Sequence, residues 1–223
     1  MNEIIKNELV KEMSYQNEVI LKYRIEYPQI GSTSFQVGKT RFNEFYRQKA
    51  LELQSYAENE LYKMAVDSYD FAKKNGYPVM QYELILEYTV TYNEICVVSL
   101  HSDQYTFTGG AHGNTIRSSQ TWNLKSGDML TLSELFQNNS NYIIDILKEI
   151  NLQIANEISI GENYYFDNYS ELLVQNFNPQ SFYLTPLGVA IYYQQYDIAP
   201  YSSGIPTFVI NYSIMPINLP YCY

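Results

Sequence analysis

Residues 83–124 read ELILEYTVTYNEICVVSLHSDQYTFTGGAHGNTIRSSQTWNL, and the fold turns on how they are read. Glu83–Tyr92 alternates apolar and polar residues, the pattern of a strand with one buried and one wet face. Asn93-Glu94 supplies a two-residue turn, and Ile95–Leu100 resumes as an apolar strand. Residues 104–108 and 115–124 are further strands, flanking the cluster Gly109-Gly110-Ala111-His112-Gly113-Asn114. Connections this short leave no room for crossover helices, so the run is an antiparallel meander. Glycines at such density mark backbone that needs positive φ or a close approach. His112, one of 2 histidines in the chain, stands among them.

On the N-terminal side, residues 1–14 are charged and read as a loose lead-in. Glu18–Tyr27 alternates from Leu21 onward and reads as a strand ended by Pro28 and Gly31. It shares Glu, Ile-Leu and two Tyr with Glu83–Tyr92, which makes two similar strands rather than a repeat. A Ser/Thr/Gly-rich loop over 32–40 leads into a helix over 40–74. Phe42, Phe45, Tyr46, Lys49, Leu53, Tyr56, Ala57, Leu61, Met64, Ser68 and Phe71 form its mostly apolar stripe. Thr40 is available as its cap, and Asn75-Gly76 with Pro78 stops it.

On the C-terminal side, Lys125–Asp128 is a turn, and Thr131–Phe136 is a short helix capped by Thr131 or Ser133. A helix over 140–158 buries Tyr142, Ile143, Ile146, Leu147, Ile150, Ile154 and Ile158. Residues 161–181 are polar and aromatic, with a short helix near 170–175. Strands follow at 182–184, 188–194 and 207–213, interrupted by a Pro/Gly-rich loop at 196–206. The class is α+β: two interlocked antiparallel-sheet blocks, each packed by a helix. The first is 15–124 with helix 40–74, the second 125–215 with helix 140–158.

With 223 residues and 46% hydrophobic content, the chain can bury a sizeable core. Its 24 tyrosines stand against 10 phenylalanines and 1 tryptophan. Tyr suits half-buried sheet faces and recognition surfaces alike, because the ring buries while the hydroxyl stays wet. A net charge of −10 argues against nucleic acid and anionic membrane surfaces and favours a cationic partner. Of the two cysteines, Cys96 lies in an apolar strand and reads as a buried free thiol; Cys222 is near the C-terminus, and a bridge between them is the other possibility. No run of 18 apolar residues could span a bilayer. Residues 1–20 carry no secretory apolar segment, so the chain as written shows no export signal.

Two stretches bear a family resemblance. One is Tyr105-Thr-Phe-Thr-Gly-Gly-Ala-His-Gly-Asn114; the other runs from Phe182-Tyr-Leu-Thr-Pro-Leu-Gly-Val-Ala-Ile-Tyr-Tyr through Tyr196-Asp-Ile-Ala-Pro-Tyr201 to Gly204. Thr121–Phe136, with Gly-Asp-x-Leu-Thr-Leu-Ser-Glu-Leu-Phe, and Tyr27-Pro-Gln-Ile30 fit the same pattern. The chain resembles RsiV/PdaC-like domains: the outer part of the anti-sigma-V factor and the N-terminal part of peptidoglycan deacetylase C. The similarity covers about residues 15–215. It implies an extracytoplasmic α+β domain that binds or senses at the cell envelope. In the anti-sigma factor the related region binds lysozyme, a basic protein. No polysaccharide-deacetylase segment follows Tyr223, so that activity is not expected here.

Several chemical constellations are weighed against this. His101-x-Asp103 with His112 and Cys96 lacks a third metal ligand at a diagnostic spacing, so no metal site is expected. His112 could act as a general base beside Thr108, Asp103 or Ser118, yet no Gly-x-Ser-x-Gly elbow exists; its structural role is to bond a backbone carbonyl and pin the loop. Residues 109–113 lack the Lys-Ser/Thr and the following helix of a phosphate loop. No motif calls for a cofactor. The expected function is non-enzymatic binding or sensing of a basic protein such as lysozyme, or of peptidoglycan. The alternatives are a cell-wall hydrolase using His112 as base, and a structural or regulatory domain of a larger envelope protein. The ligand-binding candidates are Gly109, Gly110, His112, Asn114, Tyr196 and Tyr201.

Overall fold

The computed structural model describes residues 1–161 and 164–222. Of the polar stretch 161–181, residues 162 and 163 lie outside the described residues. A mixed α+β architecture holds throughout. The chain runs β1 (Ile4–Tyr15), β2 (Glu18–Ile30), α1 (Gln36–Tyr56), a π-helical turn (Ala57–Leu61), α2 (Tyr62–Asn75), β3 (Tyr82–Glu94), β4 (Val97–Phe107), β5 (Asn114–Asn123) and β6 (Asp128–Met129). It continues with α3 (Leu132–Leu135), α4 (Tyr142–Ser159), α5 (Tyr169–Gln175), β7 (Phe182–Leu184), β8 (Gly188–Tyr192), a 3-10 turn (Tyr201–Ser203) and β9 (Thr207–Asn211). One sheet has the order β1-β2-β3-β4-β5-β6 and a second the order β7-β8-β9. The chain divides into two compact units: residues 2–88 with 102–116, and residues 89–101 with 117–223 plus Met1.

The N-terminal residues are not a loose lead-in. Ile4–Tyr15 pairs antiparallel with β2 from Ile4↔Ile30 to Tyr15↔Glu18. The hairpin turns at Gln16 and Asn17, both with positive φ (48° and 66°), which matches the twist of the flanking strands. As an edge strand, β1 carries Lys6, Glu8, Lys11 and Glu12, charges that discourage edge-to-edge pairing. β2 also runs through Pro28 instead of ending there. Among the described residues β3 accompanies β2 only over Leu21–Ile25, so Pro28 has one flank without a neighbouring strand, where a missing N–H is tolerated. β2 and β3 are parallel, Leu21↔Tyr82 to Ile25↔Leu86, because the helices carry the chain back across the sheet.

Helix α1 begins at Gln36, before Thr40; the Thr40 hydroxyl donates to the Gln36 carbonyl (3.1 Å) within the helix. Gly76 ends α2 in the left-handed conformation at φ 71°. Between α1 and α2 the π turn inserts one residue into the helical repeat. The buried face accordingly moves forward by one position. The expected Met64, Ser68 and Phe71 give way to Ala65, Tyr69 and Ala72, while Met64 and Phe71 are exposed. Glu58 within this turn accepts the Tyr23 hydroxyl (2.7 Å) and the Lys11 ammonium (2.9 Å). Those bonds, Lys11 foremost, hold its carboxyl below the usual range. Ile20, Leu21, Tyr23 and Ile25 of β2 pack with Ala50, Ala57, Leu61, Ala65 and Tyr69 in the core. Alanines there let the helix approach closely. Each large apolar side chain so buried contributes about 1.5–3 kcal/mol.

The β3–β4 turn falls at Ile95-Cys96 rather than Asn93-Glu94, which stay in β3. Ile95 takes φ 48°, a strained position for a β-branched residue. Two tethers fix it: Leu124 N–H donates to the Cys96 carbonyl (2.7 Å), and Cys96 is bridged to Cys222. Cys96 is thus a disulfide partner and not a free thiol. In the same unit the buried Ser99 hydroxyl meets Thr121 Oγ1 (2.7 Å) and accepts from Leu184 N–H (2.9 Å). Thr131 caps α3 in a capping box with Glu134. Helix α4 buries Ile146, Ile150 and Ile154, and Gln153 Nε2 donates to the Val209 carbonyl of β9 (3.1 Å). Tyr142, Ile143, Leu147 and Ile158 of the expected stripe are not fully buried.

Candidate functional site

The six candidate residues fall into two groups. Gly109, Gly110, His112 and Asn114 belong to the unit with residues 2–88; Tyr196 and Tyr201 belong to the other.

The first group forms the turn from β4 into β5. Gly109 (φ 96°) and Gly110 (φ 92°) take a conformation that side-chain-bearing residues rarely adopt. Gly113 is needed for a different reason. A Cβ there would lie 2.7 Å from the Thr106 carbonyl oxygen and inside contact of the Tyr105 ring. The closure of the turn thus excludes any side chain at 113. It leaves His112 and Asn114 exposed on either side. His112 Nδ1 bonds the Gly113 carbonyl (2.9 Å), which orients the imidazole along the turn.

Residues 71–80 carry exposed side chains that periodicity alone misassigns. Met80 sits beside Gly109: a Cβ on that glycine would be 3.8 Å from Met80 Cβ. Just before Met80, Tyr77 stacks on Phe71 with ring centroids 6.0 Å apart and an interplanar angle of 29°. Both rings are mostly exposed, at 63% for Phe71 and 61% for Tyr77. An exposed aromatic pair of this kind is a candidate contact surface. The signal for Phe71 was hidden because the π turn, invisible to a 3.6-residue repeat, rotates it outward.

In the second group, Tyr196 is exposed at φ 69° and its ring lies 6.0 Å from Tyr201. The loop between β8 and β9 is strongly tethered. The Tyr193 hydroxyl donates to the Leu173 carbonyl (2.9 Å), and Asn176 Nδ2 donates to the Asp197 carbonyl (2.6 Å). Gln194 N–H donates to Asp197 Oδ2 (2.7 Å). Burial still pushes the Asp197 carboxyl above its usual range, and burial likewise raises the Tyr193 hydroxyl. The Gln194 amide accepts from Arg117 N–H (3.0 Å) and donates to the Arg117 carbonyl (2.7 Å), acting as a strand partner for β5. Tyr196 and Tyr201 are therefore presented on a rigid base.

Cys96 is consumed in the disulfide, and the His101 ring packs 4.9 Å from Tyr183. Among the described residues, no group of three or more His, Cys, Asp or Glu side chains is arranged to hold a metal. Among the same residues, no helix is long and apolar enough to cross a membrane.

Comparison with known proteins agrees with this anatomy. Residues 14–115 match the family model described as deacetylase PdaC, and residues 133–213 match that of a protein of unknown function, DUF3298. The two matches, over separate parts of the chain, agree with the resemblance to PdaC-like domains. Its fold is shared by a DUF3298 family member from Bacteroides fragilis NCTC 9343, at TM-score 0.70 and 18% identity, over 98% of this chain and 94% of that one. It is also shared by a DUF3298 family protein from Pseudomonas aeruginosa PAO1, at TM-score 0.62 and 16% identity, over 97% and 95% of the two chains. No curated protein matches.

Proposed function

We propose that this chain is a binding or sensing domain of the cell envelope whose partner is a basic protein, lysozyme being the example the family resemblance supplies. Charge distribution carries the reading. The unit of residues 89–101 and 117–223 has ten acidic and three basic residues, hence −7 of the total −10; the other unit, with fourteen and eleven, has −3. An acidic field of that density steers cations. Exposed aromatics at Phe71, Tyr77 and Tyr196 supply contact area of the kind that anchors interfaces. The Cys96–Cys222 bridge supports an extracytoplasmic setting, since disulfides persist in oxidising compartments.

Titration calorimetry with hen lysozyme tests the proposal. Binding should weaken steeply as NaCl rises across the range where the Debye length shrinks below about 10 Å. Lysozyme affinity that ignores salt would refute the electrostatic reading, and binding to soluble peptidoglycan fragments with none to lysozyme would replace the basic protein with glycan as partner.

A further inference from the structure

A cleft of about 470 Å³ opens beside α4, within the range of pockets that hold small ligands. Its lining includes Asn139, Asp145, Glu149, Leu152, Met215 and Pro216. Asp145, Glu149 and Leu152 are spaced i, i+4, i+7 and so share one face of α4. Met215 and Pro216, after β9, contribute the apolar lining with Leu152. Leu152 is 63% exposed, as expected of an apolar surface awaiting cover.

The carboxylates keep bonding capacity. Asp145 Oδ2 accepts from Asn139 Nδ2 (3.0 Å), while among the described residues Oδ1 meets only the Lys148 ammonium, at 3.9 Å. Lys148 is 72% exposed and also borders the cleft. Glu149 Oε1 accepts from Gln153 Nε2 (2.9 Å), and among the described residues Oε2 has no donor. The cleft therefore offers two carboxylates, with acceptor sites to spare, next to an apolar wall. A long side chain with an aliphatic stem and a charged tip matches both parts at once. A carboxylate pair also suits a guanidinium, which donates in a planar fork.

We infer that this cleft receives an arginine or lysine side chain of a basic protein, with the stem along Leu152, Met215 and Pro216 and the cation against Asp145 and Glu149. This rests on the proposed function and locates one contact of that partner.

The test is an amide NMR titration of the full chain with Nα-acetyl-arginine amide, with the neutral Nα-acetyl-citrulline amide as control. Saturable shifts are expected at Asn139, Glu149, Leu152 and Met215 for the arginine compound alone. The double variant Asp145→Asn/Glu149→Gln, whose folding is checked by circular dichroism, should lose at least about tenfold in affinity for it. Equal shifts with citrulline, shifts confined to other residues, or none would overturn the inference. Titrating hen lysozyme separates the two levels. If lysozyme binds the wild type and the double variant equally, the cleft is wrong and the proposed function stands. If the wild type does not bind lysozyme, the proposed function falls, and the arginine titration still decides the cleft.

Discussion

Gly113 and Gly110 sit three residues apart and do different work, so equal substitutions should fail for different reasons. Alanine at 113 drives a methyl into the Thr106 carbonyl and the Tyr105 ring, an overpacking cost of about 1–3 kcal/mol. Alanine at 110 meets open space and suffers only the left-handed backbone, about 1–2 kcal/mol. Urea unfolding reads both, and Tyr105 resonances should move only in Gly113→Ala; a Gly113→Ala midpoint equal to wild type would refute the close approach. The tyrosines offer a second check, through pH. The Tyr212 hydroxyl donates to the Thr185 carbonyl (2.9 Å), and burial, helped by nearby Tyr92, pushes it to about 12; burial raises Tyr193 as well. A tyrosine raised on folding binds its proton more tightly in the native state. Its contribution is complete below the unfolded value of about 10 and is lost as pH climbs through the native one. Absorbance titration at 295 nm should show a late-ionising group in the native protein that is missing in Tyr212→Phe. A native titration completed near pH 10 would contradict that burial.

Helix α1–α2 shows how much of an element a repeat can disclose. Its existence, its end at Gly76 and the burial of Phe42, Tyr46, Ala57 and Leu61 follow from three–four spacing. The spacing already errs at Lys49, which is exposed while Ala50 is buried, and past Leu61 it misleads further, since a π turn stabilised by Lys11 and Tyr23 depends on residues far away in sequence. The same limit hid β1, whose charges look like a tail until β2 pairs with it, and hid the exposed Phe71–Tyr77 pair. Conversely, the existence of α4 and of β7–β9 is legible because apolar period and turn residues agree there, although only Ile146, Ile150 and Ile154 of the expected α4 stripe are buried. Neighbouring substitutions expose the shifted face. Met64→Glu should change stability by no more than about 0.5 kcal/mol, whereas Ala65→Glu buries an unpaired charge and should cost about 3 kcal/mol or more. Equal thermal midpoints for the two variants would mean that the face is not shifted.

Across the chain as a whole, the Cys96–Cys222 bridge closes a loop spanning 126 positions. Chain-entropy arguments give such a loop roughly 4–5 kcal/mol of stabilisation. Dithiothreitol, or paired Cys96→Ser/Cys222→Ser replacement, should lower the guanidinium midpoint accordingly; an unchanged midpoint would mean that the bridge carries no stability. The parallel pairing of β2 with β3 has a consequence in time. Its hairpin partner β1 needs only a two-residue turn and can zip within microseconds, but Leu21 must wait for Tyr82 until the intervening helices have docked. During that interval one side of β2, with Leu21, Tyr23 and Ile25, lies open as an unpaired apolar edge. The nascent chain is then most exposed to self-association, and crowding of unfolded copies should depress refolding yield before it affects the finished protein.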